Sequence, residues 1–124
     1  MKIRIDPLDR LFSEFIRKRA NGKCERCLKP TDFKRLQCAH FHGRANKKVR
    51  WDEKNACGLC YGCHAFLDSR FMEKAEFIKK YLGEKEAEKL NQRANWPSLK
   101  KVDKKIIEIY LKNKLNALSD TSHH

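Results

Sequence analysis

The stretch Cys38-Ala39-His40-Phe41-His42-Gly43-Arg44-Ala45-Asn46-Lys47-Lys48-Val49-Arg50-Trp51-Asp52-Glu53-Lys54-Asn55-Ala56-Cys57-Gly58-Leu59-Cys60-Tyr61-Gly62-Cys63-His64-Ala65-Phe66-Leu67-Asp68 decides how this chain is read. Short β-like segments around 35–41 and 49–51 flank a polar, basic loop at 43–48, and the pattern after Asn55 suits a short helix over 61–68. His40 then lies on the first strand, Asn55 follows the second, and His64 opens the helix. Asp68 stands at i+4 from His64, so both point the same way. A nitrogen and an oxygen ligand one turn apart, with a histidine across from them on a hairpin, outline a one-metal phosphodiesterase site. Taken singly, the same residues also fit unrelated roles, His64 as a zinc ligand and His40 as a surface residue.

Working outward, Cys24-x-x-Cys27 and Cys60-x-x-Cys63 are matched pairs with 32 residues between them. Each CxxC turn sets two thiolates on one side of a tetrahedral Zn²⁺, and two such turns complete the site. The alternatives are a redox dithiol, for which the strand-then-CxxC-helix context is missing, and c-type haem attachment at Cys60-Tyr61-Gly62-Cys63-His64, which requires export. Cys38 and Cys57 are left over and read as small buried residues. Cys57 with Cys60 is a competing CxxC that would leave Cys63 spare.

With 124 residues, the chain has room for one small core and gains from a metal staple. Its 29 Lys+Arg against 16 Asp+Glu give a net charge of +13, which points to a polyanionic partner, nucleic acid before an anionic membrane face. No apolar run approaches the roughly 18 residues of a membrane span. The opening residues carry no signal-peptide-like run, so a cytoplasmic protein with reduced cysteines is expected.

The composition divides the chain into 1–22, an N-terminal amphipathic helix packing on the core; 23–70, the cysteine- and histidine-bearing core; 71–118, a helical extension; and 119–124, a disordered tail. In the first, Leu8, Leu11, Phe12, Phe15 and Ile16 make one apolar stripe, with Asp6 as cap, Pro7 at the first helical position and Asn21-Gly22 as stop. The extension reads as helices over 71–82, stopped by Gly83, and 84–94, a break at 95–98, and a last helix over 103–118 with Val102, Ile106, Ile109, Tyr110 and Leu118 inward.

The residues His40, Asn55 and His64, in that order and bracketed by two CxxC pairs, resemble the signature of the HNH, or ββα-metal, nucleases. The nearer resemblance is to phage NinG-type recombination endonucleases. It is carried by Leu36-Gln37-Cys38-Ala39-His40-Phe41, Arg50-Trp51-Asp52-Glu53, Asn55 and Cys60-Tyr61-Gly62-Cys63-His64. The resemblance implies an α+β fold, a small zinc-stapled ββα-metal core with flanking N- and C-terminal helices. It implies a metal-dependent DNA endonuclease acting on branched recombination intermediates and leaving 5′-phosphate and 3′-hydroxyl ends. In that frame His40 is the general base, Asn55 holds it by hydrogen bonding, and His64 and Asp68 ligate a catalytic divalent cation such as Mg²⁺. Structural Zn²⁺ sits on Cys24, Cys27, Cys60 and Cys63, while Arg44, Lys47, Lys48 and Arg50 meet nucleic acid. Many members carry Asp or His just before the base, where this chain has Ala39. His42 is a further candidate ligand, since on a continuing strand it shares a face with His40, or the base itself with His40 as ligand. The other class of function open to the same residues is a non-catalytic, zinc-stapled nucleic-acid-binding protein.

Overall fold

The computed structural model describes residues 5–97 and 101–121. Its elements are α1 (Pro7–Arg19), β1 (Gln37–His40), β2 (Ala56–Leu59), α2 (Tyr61–Ser69), α3 (Phe71–Leu82), α4 (Glu84–Asn95) and α5 (Lys104–Thr121), an α+β chain with one two-stranded antiparallel sheet. Asp6 caps α1 by accepting from the Leu8 amide at 2.8 Å, Pro7 opens it, and Arg17, Lys18 and Arg19 close it against the helix dipole. Asn21 and Gly22, at φ 58° and 78°, then turn the chain into the first cysteine pair. Gly83, at φ 85°, makes the α3–α4 turn expected of it.

The hairpin pairs Gln37 with Leu59, Cys38 with Gly58, Ala39 with Cys57 and His40 with Ala56. Alternation sends successive side chains to opposite faces. Cys38 and Ala56 join the cluster of Leu8, Phe12, Phe15, Ile16, Trp51 and Leu111 on the α1 face. Ala39, Cys57 and Leu59 join Leu36, Phe41, Val49, Leu67, Leu90 and Ala94 on the face covered by α2, α3 and α4. Gly58 marks the tightest approach: a Cβ there would stand 2.9 Å from Ala20 Cβ at the end of α1.

Three expectations are corrected. The second strand is 56–59 rather than 49–51, so Asn55 precedes it. Backbone bonds from Val49 to Asn46 and from Asp52 to Val49 curl 46–52 into turns. Val49 and Trp51 are apolar because they anchor that loop in the two core clusters, not because they pair in a sheet. On α5 the buried stripe is Ile107, Leu111, Leu115 and Leu118, while Val102, Ile106, Ile109 and Tyr110 are exposed; only Leu118 of the expected set turns inward. The tail expected from Ser119 is helical through Thr121, and Ser98 and residues 122–124 lie outside the described residues. Among the described residues no helix is long and apolar enough to cross a membrane.

Candidate functional site

At the Gln37–Leu59 end of the hairpin the four expected thiols converge. Sγ atoms of Cys24, Cys27, Cys60 and Cys63 all lie within 4.8 Å of one another. Four sulfurs at about 2.3 Å from a tetrahedral Zn²⁺ stand about 3.8 Å apart, and Cys27 and Cys60 are 3.9 Å apart. The donor set and its spacing fit zinc. Cys24 and Cys27 come from a tight turn in which Leu28, at φ 64°, returns its amide to the Cys24 carbonyl. Cys60 caps α2, accepting from the Cys63 amide, and Arg26 donates to the Cys63 sulfur at 3.3 Å. Burial alone would raise the Cys24 thiol, but amides of Cys27, Cys60 and Arg26 outweigh it and bring it to about 7. Cys38 and Cys57 stay outside this cluster. Burial pushes the Cys38 thiol up to about 12 and the Cys57 thiol higher still, as expected of inert core residues.

Glu25, between the first two cysteines, ties this corner to the rest. Its amide donates to the Gly58 carbonyl and its carboxylate accepts from the Gly58 amide at 2.7 Å and from the Tyr81 hydroxyl at 2.9 Å. Arg19 reaches the same tyrosine and the carbonyls of Glu53 and Ala56. Nothing in the spacing of residues distinguishes Glu25 from any other residue inside a CxxC.

The histidines separate. His40, at the end of β1, faces α1. Its ring packs on Phe12 at 5.5 Å and its Nε2 donates to the Arg50 carbonyl at 3.1 Å. Since a carbonyl only accepts, Nε2 carries the proton and Nδ1 the lone pair. Burial, joined by the Arg44 and Arg50 cations, outweighs that bond and holds the imidazole below its ordinary pKa, hence neutral. His64 and Asp68 lie on the other side of β1. His64 Nδ1 meets Gln37 Oε1 at 2.7 Å, and its Nε2 faces the Asp68 carboxylate at 3.2 Å; Lys74 holds the second oxygen of Asp68. The one-turn spacing thus brings His64 and Asp68 together as expected, but strand alternation puts His40 and this pair on opposite faces.

His42 does not share the face of His40. The strand ends at His40, the chain bends, and His42 lines a cavity of about 710 Å³ with Phe71, Lys74, Ile78 and Asn91. Its ring faces the Asn91 side chain.

Asn55 is fully buried, and its bonds go to backbone rather than to the His40 ring. Its Oδ1 accepts from the His42 amide at 2.8 Å, and its Nδ2 donates to the carbonyls of His42 and Val49 at 3.0 Å. It therefore fixes the loop that follows β1 at His42 and Val49, and the expected bond to the His40 ring is not made.

Of the basic residues, Lys47 and Lys48 are exposed, and Arg44 is 63% exposed with one nitrogen 3.8 Å from Asp9. Arg50 is turned inward instead: its Nε donates to Asp9 Oδ1 at 3.0 Å and its Nη2 to Asp9 Oδ2, with Trp51 Nε1 adding a bond at 2.9 Å. Burial would raise the Asp9 carboxyl, but these donors and the Arg50 and Arg44 charges hold it below the usual range. Asp9 is the residue sequence reasoning missed, because an acid in the first turn of a helix already has an ordinary explanation in the dipole. No family model, curated protein or solved structure matches the chain.

Proposed function

We propose that the chain is a metal-dependent DNA endonuclease of the HNH type, with His40 as general base. The observation that carries this is the His40 contact: Nε2 donates to the Arg50 carbonyl, which leaves the lone pair on Nδ1, and burial holds the imidazole below its ordinary pKa. Nδ1 would take a proton from water as that water's oxygen attacks phosphorus and the 3′ oxygen leaves. The positive charge, with Arg44, Lys47 and Lys48 exposed on the same loop, supports DNA as partner.

His64 and Asp68 fit a hard divalent cation. With Nδ1 meeting Gln37 Oε1, His64 Nε2 and the Asp68 carboxylate 3.2 Å away are the groups that would hold the cation. Such a cation, when bound, supplies Lewis-acid polarisation of the phosphate and charge stabilisation at the leaving oxygen. Two protein ligands suffice for Mg²⁺, which keeps several waters and takes further oxygens from substrate, so Ala39 at the usual ligand position is compatible with it.

A second reading, zinc-stapled DNA binding without catalysis, is favoured by the placement of His40 and the His64–Asp68 pair on opposite faces of β1. Incubating the zinc-loaded protein with linear, nicked and branched DNA, with and without Mg²⁺ or Mn²⁺, separates the two. Metal-dependent strand cleavage is expected. His40→Ala should lower its rate about 10²–10⁴-fold with DNA affinity and zinc content kept. Binding without cleavage under all conditions leaves the second reading, and loss of activity in His42→Ala but not His40→Ala moves the base to His42.

A further inference from the structure

The geometry points to Asp9 as a positioning residue for His40, acting through Arg50, an inference that rests on His40 being the base. Asp9 stands in the first turn of α1, its side chain only 10% exposed. One carboxylate takes both donors of the Arg50 fork and the indole N–H of Trp51. Two consecutive loop residues are thereby pinned by their side chains to one helix. The carbonyl of the first of them is the acceptor that sets the His40 tautomer. One turn further along α1, Phe12 supplies the surface on which the imidazole lies. The same helix therefore fixes the ring's plane directly and its proton indirectly.

The Arg50 side chain is 21% exposed and its guanidinium lies over the Trp51 ring, so removing its partner disturbs both loop residues. Without Asp9 the guanidinium must find another partner, and residues 50 and 51 must move to let it. The carbonyl then leaves Nε2, and the imidazole is free to place its proton on Nδ1, where the lone pair is needed. A shift of about 1 Å in such a group can cost about 10² in rate.

The test is Asp9→Asn, which keeps the volume and one acceptor oxygen for Trp51 and Arg50 Nε, but loses the charge and the oxygen facing Nη2. Trp51→Phe, which removes the indole donor and part of one buried ring but leaves the Asp9–Arg50 pair in place, is the companion should Asp9→Asn fail to fold. For Asp9→Asn, kcat for DNA cleavage with saturating Mg²⁺ or Mn²⁺ should fall about 10²-fold, with zinc content unchanged and KM for DNA no higher, since the change only releases Arg44 toward DNA. Nitrogen-15 spectra of the His40 ring should pass from the Nε2–H tautomer to a mixture, and Trp51→Phe should move both readouts less in the same direction. If the wild type cleaves and both variants cleave equally well with the His40 tautomer unmoved, the role of Asp9 is overturned while the nuclease reading stands. A wild type that cleaves no DNA with either metal overturns the nuclease reading, and the Asp9 role with it.

Discussion

The two ends of the hairpin are built by different means. At the Gln37–Leu59 end, four thiols meet because each pair comes from a turn of four residues, so the ligand geometry is largely local and only the meeting of two turns is left to the fold. At the His40–Ala56 end, a loop from 41 to 55 has to be shaped by tertiary bonds, from Asn55 inside and Asp9 outside. A site made of tight turns announces itself by spacing. A site made of a long loop announces its residues but not their orientation.

The sharpest way to break this contrast is at the thiols. Cys60→Ser keeps a side-chain acceptor for the Cys63 amide, since serine is a good helix N-cap, and so removes little except the metal ligand. Structural zinc contributes roughly 10–16 kcal/mol in small zinc-binding peptides, as much as a typical domain's whole stability of about 5–15 kcal/mol. The variant is expected to lose zinc and the cooperative unfolding transition, read by metal content and far-UV circular dichroism; a stably folded, zinc-free variant would show that the hairpin stands without its staple.

The loop end should yield less. Asn55→Ala strips partners from the His42 amide and the His42 and Val49 carbonyls, at roughly 1–3 kcal/mol for each group left buried and unpaired. Zinc content should stay full while chemical denaturation reports lower stability and cleavage falls. Equal loss of zinc would mean that the two ends fold as one.

The smallest effect is that of pH. Burial lowers both His40 and His42 below the ordinary 6.5. The unfolded chain therefore takes up protons before the folded one, and stability from these groups is full above about 6.5 and lost as pH falls through the folded values. Cleavage should rise with pH over that same range below 6.5 and be level by neutrality. A rate still climbing well above pH 7 would assign the titrating group elsewhere.

The helix spans from α1 to α4 were legible in the sequence nearly to the residue, because caps, the α1 stripe and Gly83 are local signals, whereas the buried stripe of α5 and its end were not. The second strand was not. Ala56-Cys57-Gly58-Leu59 is buried on both faces and has no β-branched residue, so it shows neither alternation nor strand composition. Val49 and Trp51 showed both and are turns. Of the candidate site, the cysteines and the His64–Asp68 pair could be read from spacing. The sides taken by His40 and His42 depend on where β1 stops, and the inward turn of Arg50 depends on a carboxylate 41 residues away.

α1 packs on α5, with Lys104 reaching Asp6 across 98 residues of chain. At about 5–20 residues per second of synthesis, α1 waits roughly 5–20 s on the ribosome before Lys104 is made. During that interval the apolar surface that Leu111 closes has no cover from its final partner, although the hairpin can already form beside it. The α1 stripe is therefore completed late in synthesis, and slower translation between residues 60 and 104 lengthens the interval in which it lacks α5.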